Sequence, residues 1–284
     1  MSPSKPNLRL FLNKNFYAFL LIPLFFCLSA VPLSAQNLDV PYVPTPQAVV
    51  DKMLDMAEVH EGDYVIDLGS GDGRIVISAV KRGAYGHGID LDPERIAEAR
   101  KNAKDQGLED HVLFLKQNIF DTDFSRASVI TMYLLSTVNQ KLRPHLLENL
   151  EPGTRIVSHS FNMGDWKPDQ TAEVTPESSD RAHDIYYWVI PAKVDGKWSW
   201  SMNGSNVTAA VSQQFQEINV AATGDSGWEI SEPKLNGKRI SFEMVKGNTI
   251  HLYSGRVEGD TISGIVQIYD GDEHSLKQWS ALRN

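Results

Sequence analysis

Between Pro46 and Pro191 the apolar residues follow two alternating rhythms. Val49, Val50, Met53, Leu54 and Ala57 recur at helical spacing and predict an amphipathic helix over Val49–Val59. The short apolar run Tyr64–Leu68 then reads as a buried strand, and the pattern repeats: helix Gly73–Arg82, strand Tyr85–Ile89, helix Pro93–Gln106, strand Val112–Lys116. Strand Val129–Leu134, helix Asn139–Leu150 and strand Arg155–His159 follow. Alternation of this kind predicts right-handed crossovers and a doubly wound, mostly parallel sheet with helices on both faces, a Rossmann-like α/β architecture. Thr171–Val174 and Ile185–Ile190 complete seven strands as a closing antiparallel pair.

After Pro191 the period drops to two. Runs such as "KRISFEMVKGNTIHLYSGRVEGDTISGIVQIYDGDE" alternate apolar and polar residues between Gly, Asn and Asp. They predict successive hairpins in a small all-β barrel or sandwich. The change near Lys193–Gly196 divides the chain into an α/β domain over 36–193 and a β-rich domain over 194–284.

The first residues have a third texture. Lys5, Arg9 and Lys14 precede an apolar run from Phe16 to Leu33, and "PLSAQ" offers a small-residue cut after Ala35. Residues 1–35 therefore read as an export signal, leaving a periplasmic chain. Without cleavage the same run would anchor the protein in the membrane, its positive end cytoplasmic. The single cysteine, Cys27, lies inside this segment, so the mature chain has neither disulfides nor thiolate metal sites. The formal charge is −9, and loss of the three leader cations takes it to −12. Such a balance argues against nucleic acid as a partner and suits basic polypeptides. The histidines show no metal-ligand spacing. Asn203 and Asn206 fall in glycosylation-like triplets that are read as chance matches.

Candidate chemistry sits at strand ends. "DLGSGDGR" places Gly69, Gly71 and Gly73 after the first strand, where glycine permits positive φ and close approach of a ligand to the backbone. Carboxyl ends of strands form the usual ligand crevice in open α/β sheets. A dinucleotide fold would have G-x-G-x-x-G; here its last position is Arg74. "GHGIDLDPERI" ends the second strand at Asp90, a carboxylate placed to accept both hydroxyls of a ribose, with Asp92 and Pro93 starting the next helix. "LKQNIFDTDF" puts Asn118 beside Ile119 and Phe120 after the third strand, a polar edge and an apolar face for adenine.

In this order the residues resemble those of the seven-stranded S-adenosylmethionine-dependent methyltransferases. The likeness spans about residues 41–191 and narrows, through "VPYVPTPQAVVDKML" and "MYLLSTVNQKLRPHLLENLEPGTRIVSHSFNMGDWKP", to bacterial relatives of the lysine methyltransferases that modify the mitochondrial ATP-synthase c subunit and adenine nucleotide translocase. It implies that Asp67, Gly69, Ser70, Gly71 and Gly73 surround the amino-acid end of S-adenosylmethionine. Asp90 and Leu91 would meet its ribose, and Asn118 and Ile119 its adenine. Asn118 stands where many relatives have aspartate. The implied reaction is in-line methyl transfer to a protein or peptide lysine.

On the acceptor side "TMYLL" replaces the Asn/Asp-Pro-Pro-Tyr of many amino-group methyltransferases, which argues against adenine or amide nitrogen. Tyr133 either lines the acceptor channel or packs under the next helix. His159 is read as a base or as a structural histidine. Tyr42 and Thr45 form either a lid over the cofactor or a rigid linker. Trp166 walls the cleft or covers the sheet edge. An exported binding module on a methyltransferase scaffold and a small-molecule methyltransferase are the alternatives.

Overall fold

The computed structural model describes residues 42–284 except 178–179, 203–204 and 224–226. The export signal read over 1–35, with its cleavage point, lies outside the described residues, as does Asn203. Among the described residues no helix is long and apolar enough to cross a membrane.

The α/β region runs α1 (Gln47–Met56), β1 (Tyr64–Leu68), α2 (Arg74–Val80), β2 (Tyr85–Asp90), α3 (Pro93–Lys104), β3 (Val112–Lys116), a 3₁₀ turn (Ile119–Asp121), β4 (Val129–Met132), α4 (Ser136–Asn149), β5 (Arg155–His159), β6 (Gln170–Val174) and β7 (His183–Val189). The seven strands form one sheet in the order β3-β2-β1-β4-β5-β7-β6. Strands β1 to β5 are parallel. β7 runs antiparallel to both β5 and β6. β1 and β4 are buried almost throughout, as a sheet covered on both faces requires.

Several element boundaries differ from the periodic pattern for local reasons. α2 starts at Arg74 because Gly73 is left-handed, with φ +80°. α1 ends early: Ala57 caps it and Glu58 turns away at φ +48°. α4 begins three residues before the predicted Asn139, at Ser136. α3 starts as expected, with Asp92 accepting the amide of Glu94 at 2.8 Å and Pro93 in its first turn.

The remaining strands are β8 (Gly196–Met202), β9 (Ser205–Gln214), β10 (Glu217–Ala222), β11 (Glu229–Asn236), β12 (Arg239–Lys246), β13 (Thr249–Glu258), β14 (Thr261–Asp270) and β15 (Glu273–Arg283). They make a single antiparallel sheet, β10-β9-β8-β15-β14-β13-β12-β11. The two edge strands, β10 and β11, approach within 8 Å at their Cα atoms, so the sheet curls on itself as a barrel does and is not a two-sheet sandwich. Trp198, Trp200, Phe242, Tyr253 and Trp279 fill its core.

Polar contacts tie the two sheets together. The Trp166 indole donates to Gln216 Oε1 at 2.8 Å, Lys167 pairs with Glu217, and Gln213 donates to the carbonyls of Ala192 and Phe215. The Arg143 guanidinium lies 5.1 Å above the Phe215 ring.

Candidate functional site

The sheet order reverses between β1 and β4, and a cleft opens at the carboxyl ends of these strands and of β2. That position is dictated by topology: the loops leaving neighbouring strands part there in opposite directions. Gly69, Gly71 and Gly73 all have positive φ. Their roles differ. Gly69 and Gly71 line the cleft, whereas Gly73 lies behind it. A β-carbon on Gly73 would come 2.6 Å from the Phe114 ring and 2.9 Å from Ala99. Its absence thus lets α2 and α3 close on β3.

Asp67, at the end of β1, is buried in the cleft wall and accepts the Thr131 hydroxyl at 2.7 Å. Burial, reinforced by Asp90 and Asp72, pushes its carboxyl up to about 7. The neighbouring Ser70 hydroxyl is buried without a partner. Asp90 accepts the Gly71 amide through Oδ2 and the Asp92 amide through Oδ1, both at 2.9 Å, so the carboxylate also shapes the glycine loop. Leu91 lines the cleft beside it.

Asn118 caps the 3₁₀ turn, its Oδ1 accepting from the Phe120 amide at 3.1 Å. Its side-chain oxygen is thereby oriented by the backbone, and Ile119 and Phe120 contribute half-buried apolar faces to the cleft. Four carboxylates line this space, Asp67, Asp72, Asp90 and Asp92, against Arg74 and Arg95. An acidic wall, an orphan hydroxyl and an apolar shelf suit a nucleoside carrying a cationic amino-acid tail.

The lead-in folds over the loop. The Tyr42 ring covers Gly71, where an added β-carbon would lie 2.4 Å from Tyr42 Cε2. Arg95 sits 4.7 Å from the centre of that ring. Burial and the Asp72 charge push the Tyr42 phenol up. Arg74 grips Asp72 with a forked ion pair and donates to the Thr45 carbonyl at 2.9 Å. Residues 42–45 are therefore fastened to the glycine loop.

On the other side Tyr133 lines the cleft, packs at a 30° tilt against His159 with ring centres 3.8 Å apart, and stacks on Phe161 at 5.9 Å. His159 is fully buried and does not line the cleft. Burial, with the nearby His183 and Arg181, drives its pKa down to about 3. The imidazole is thus neutral near pH 7 and cannot store a proton taken from a substrate. Trp166 is also fully buried, stacked on Phe215 and against Trp188, and covers the sheet without reaching the cleft.

The structure adds residues that the sequence did not single out: Asp72, Arg74 and Arg95 around Tyr42, Phe161 behind Tyr133, and His183 against His159. Arg74 carries a visible signal, since it occupies the third-glycine position of the dinucleotide pattern. His183 carries none, being 24 residues from its partner.

Comparison with known proteins places the cleft in context. Residues 67–170 match the family model described as the ANTKMT methyltransferase domain. A protein-lysine N-methyltransferase from Saccharolobus islandicus is 44% identical over 153 residues, covering 53% of this chain and 94% of that protein. The adenine nucleotide translocase lysine N-methyltransferase of Mus musculus is 32% identical over 159 residues, 55% of this chain and 66% of its own length. Among solved structures, an RNA methyltransferase from Salinibacter ruber in complex with S-adenosyl-L-homocysteine is 52% identical, with a TM-score of 0.50, and covers 54% of this chain and 96% of that one.

Proposed function

The chain belongs to the ANTKMT family of S-adenosylmethionine-dependent methyltransferases, and on that premise we propose that it methylates lysine side chains of a protein or peptide acceptor. Support comes chiefly from the archaeal protein-lysine N-methyltransferase, 94% of whose length is matched by this chain at 44% identity. The mouse enzyme is named for a lysine acceptor as well. The Salinibacter protein is described by an RNA acceptor instead. A formal charge of −9 and four aspartates in the cleft disfavour a phosphate backbone here.

The residues present fit the cofactor. Asp90 offers remaining lone pairs to the ribose, Asp67 and Ser70 face its ammonium end, and Asn118, Ile119 and Phe120 receive the adenine. Bound S-adenosylmethionine supplies a sulfonium-activated methyl group, transferred by in-line displacement. With the leaving group already activated, the protein contributes alignment and exclusion of water. Tyr42 covers the glycine loop and Thr45 closes the same edge. The Tyr133 face, held flat by His159 and Phe161, guides the aliphatic stem and cationic end of an incoming lysine.

Residues 1–35 direct this activity outward, into the periplasm or onto the outer side of the membrane. Amino-terminal sequencing of the protein from cell envelopes tests this: a chain starting at Gln36 supports cleavage, and a cytosolic chain starting at Met1 overturns export.

The acceptor is tested by incubating purified protein and radiolabelled S-adenosylmethionine with envelope protein, total RNA and a small-molecule extract in separate arms. Label in methyl-lysine, identified by mass spectrometry, is the expected result. Label confined to RNA or to small molecules overturns it.

A further inference from the structure

His159 closes β5, is fully buried, and has both ring nitrogens engaged by side chains. Nδ1 lies 3.1 Å from Thr45 Oγ1, and Nε2 lies 2.8 Å from His183 Nδ1. Buried imidazoles commonly fix their tautomer by donating to a backbone carbonyl. Here a hydroxyl and a second imidazole stand at the two ends, and each can either donate or accept. Of the two tautomers this geometry allows, one has Thr45 donating to Nδ1 and Nε2–H donating to His183, and in that one the chain passes a proton outward without a charge resting on His159. Thr45 lines the cleft, and His183 is half-exposed at the start of β7. The three side chains connect the cleft to the protein surface.

We propose that Thr45, His159 and His183 form the exit path for the proton that an acceptor lysine must lose before methylation. The proposal rests on the lysine reading above. In the transfer, an N–H bond of the acceptor ammonium breaks and its proton passes to Thr45 Oγ1, whose own proton moves to His159 Nδ1. The Nε2 proton of His159 passes to His183 Nδ1, and the Nε2 proton of His183 leaves to water. The free amine keeps the electron pair that attacks carbon. After product leaves, the chain resets by the reverse hops, the His159 Nδ1 proton passing through Thr45 to water in the open cleft, the His183 Nδ1 proton returning to His159 Nε2, and water reprotonating His183 Nε2.

The surroundings favour passage over storage. Tyr133 packs against His159 from the end of β4, and Arg181 adds positive charge from the segment before β7. On β6 the register partner of His183 is Val174, which is uncharged, while Asp184 and Glu173 pair one position further along. Thr45 is held from behind by Arg74, which binds its carbonyl and leaves the hydroxyl to His159. Thr45 and His183 are thus the entry and exit, and His159 acts through them without touching substrate.

His183→Gln tests the path. Glutamine retains a hydrogen-bonding partner for His159 but cannot relay a proton between two nitrogens. The rate of peptide-lysine methylation is measured from about pH 6.5 to about pH 9.5, approaching the ordinary lysine pKa of about 10.4. The expected result is at least a tenfold loss of kcat near pH 7, within reach of the roughly 10²–10⁴ that positioned proton transfer contributes. The loss should shrink as pH rises and the acceptor arrives already neutral. Cofactor affinity, measured by calorimetry, should stay within about twofold and shows that the variant is folded. Thr45→Ser should retain the wild-type profile and Thr45→Val should follow His183→Gln. A loss equal at every pH, or no loss, overturns the path while leaving lysine methylation standing. Wild-type protein that modifies no lysine overturns both.

Discussion

Tyr42 and Gly71 occupy one site between them: the tyrosine ring fills the space where any other residue at position 71 would carry its β-carbon, 2.4 Å from Cε2. Position 71 also has φ +52°, unfavourable for a side chain. Gly71→Ala should displace the ring and raise the dissociation constant for S-adenosylmethionine by at least tenfold. Tyr42→Ala should weaken binding too. Because both changes remove one cover, the double variant should lose less than the two single losses combined. Calorimetric titration of the four proteins gives the coupling directly; strict additivity would separate the lid from the loop.

Asp90 serves two masters, the loop amides of Gly71 and Asp92 and the ribose assigned to it. Hydrogen bonds to a charged group contribute about 1.5–3 kcal/mol each. Asp90→Ala should therefore weaken cofactor binding by at least tenfold, and Asp90→Asn by less, since one oxygen remains. Equal affinity in wild type and Asp90→Ala would remove the ribose assignment.

Asp67 gives cofactor binding a pH dependence. Its carboxyl loses its proton near pH 7 in the folded chain, against an ordinary value of 3.8. A raised carboxylate favours folding below its ordinary value, and that contribution is lost as pH climbs toward 7. A cationic ligand prefers the ionised form. Affinity for S-adenosylmethionine should thus rise with pH by up to about tenfold per unit below pH 7 and then level off. Asp67→Asn should give a flatter profile. Titrations in buffers of different ionisation enthalpy will show proton release in the wild type; its absence would mean that Asp67 does not face the ammonium group.

Gly73 belongs to stability more than to binding. A methyl group there meets Phe114 and Ala99 at 2.6 and 2.9 Å. Overpacking costs about 1–3 kcal/mol, and left-handed backbone on a non-glycine residue adds about 1–2 kcal/mol. Gly73→Ala should lower the urea midpoint markedly. An unchanged midpoint would show that α2 and α3 have room to part.

How far the sequence exposes this molecule depends on the range of the interactions. The order of strands and helices is legible because each element carries its own period, and Asp67, Asp90 and Asn118 are legible because strand ends are. Element limits fail where a single dihedral decides, as at Gly73 and Glu58. The pairing of His159 with His183 depends on β7 inserting between β5 and β6, a fact no local pattern contains. The choice between barrel and sandwich is likewise set at long range, by β15 pairing with β8 to make one sheet and by the edge strands β10 and β11 meeting to close it.

The Trp166–Gln216 hydrogen bond makes the appended strands a splint for the catalytic half. Replace Gln216 by leucine, which keeps the cover and removes the acceptor, and the buried indole N–H is left unpaired at a cost of about 1–3 kcal/mol. That indole sits on the segment following β5, five residues beyond Phe161, which steadies Tyr133 from behind. The carboxy-terminal strands thus share a hydrogen bond with the segment that backs the proposed acceptor wall.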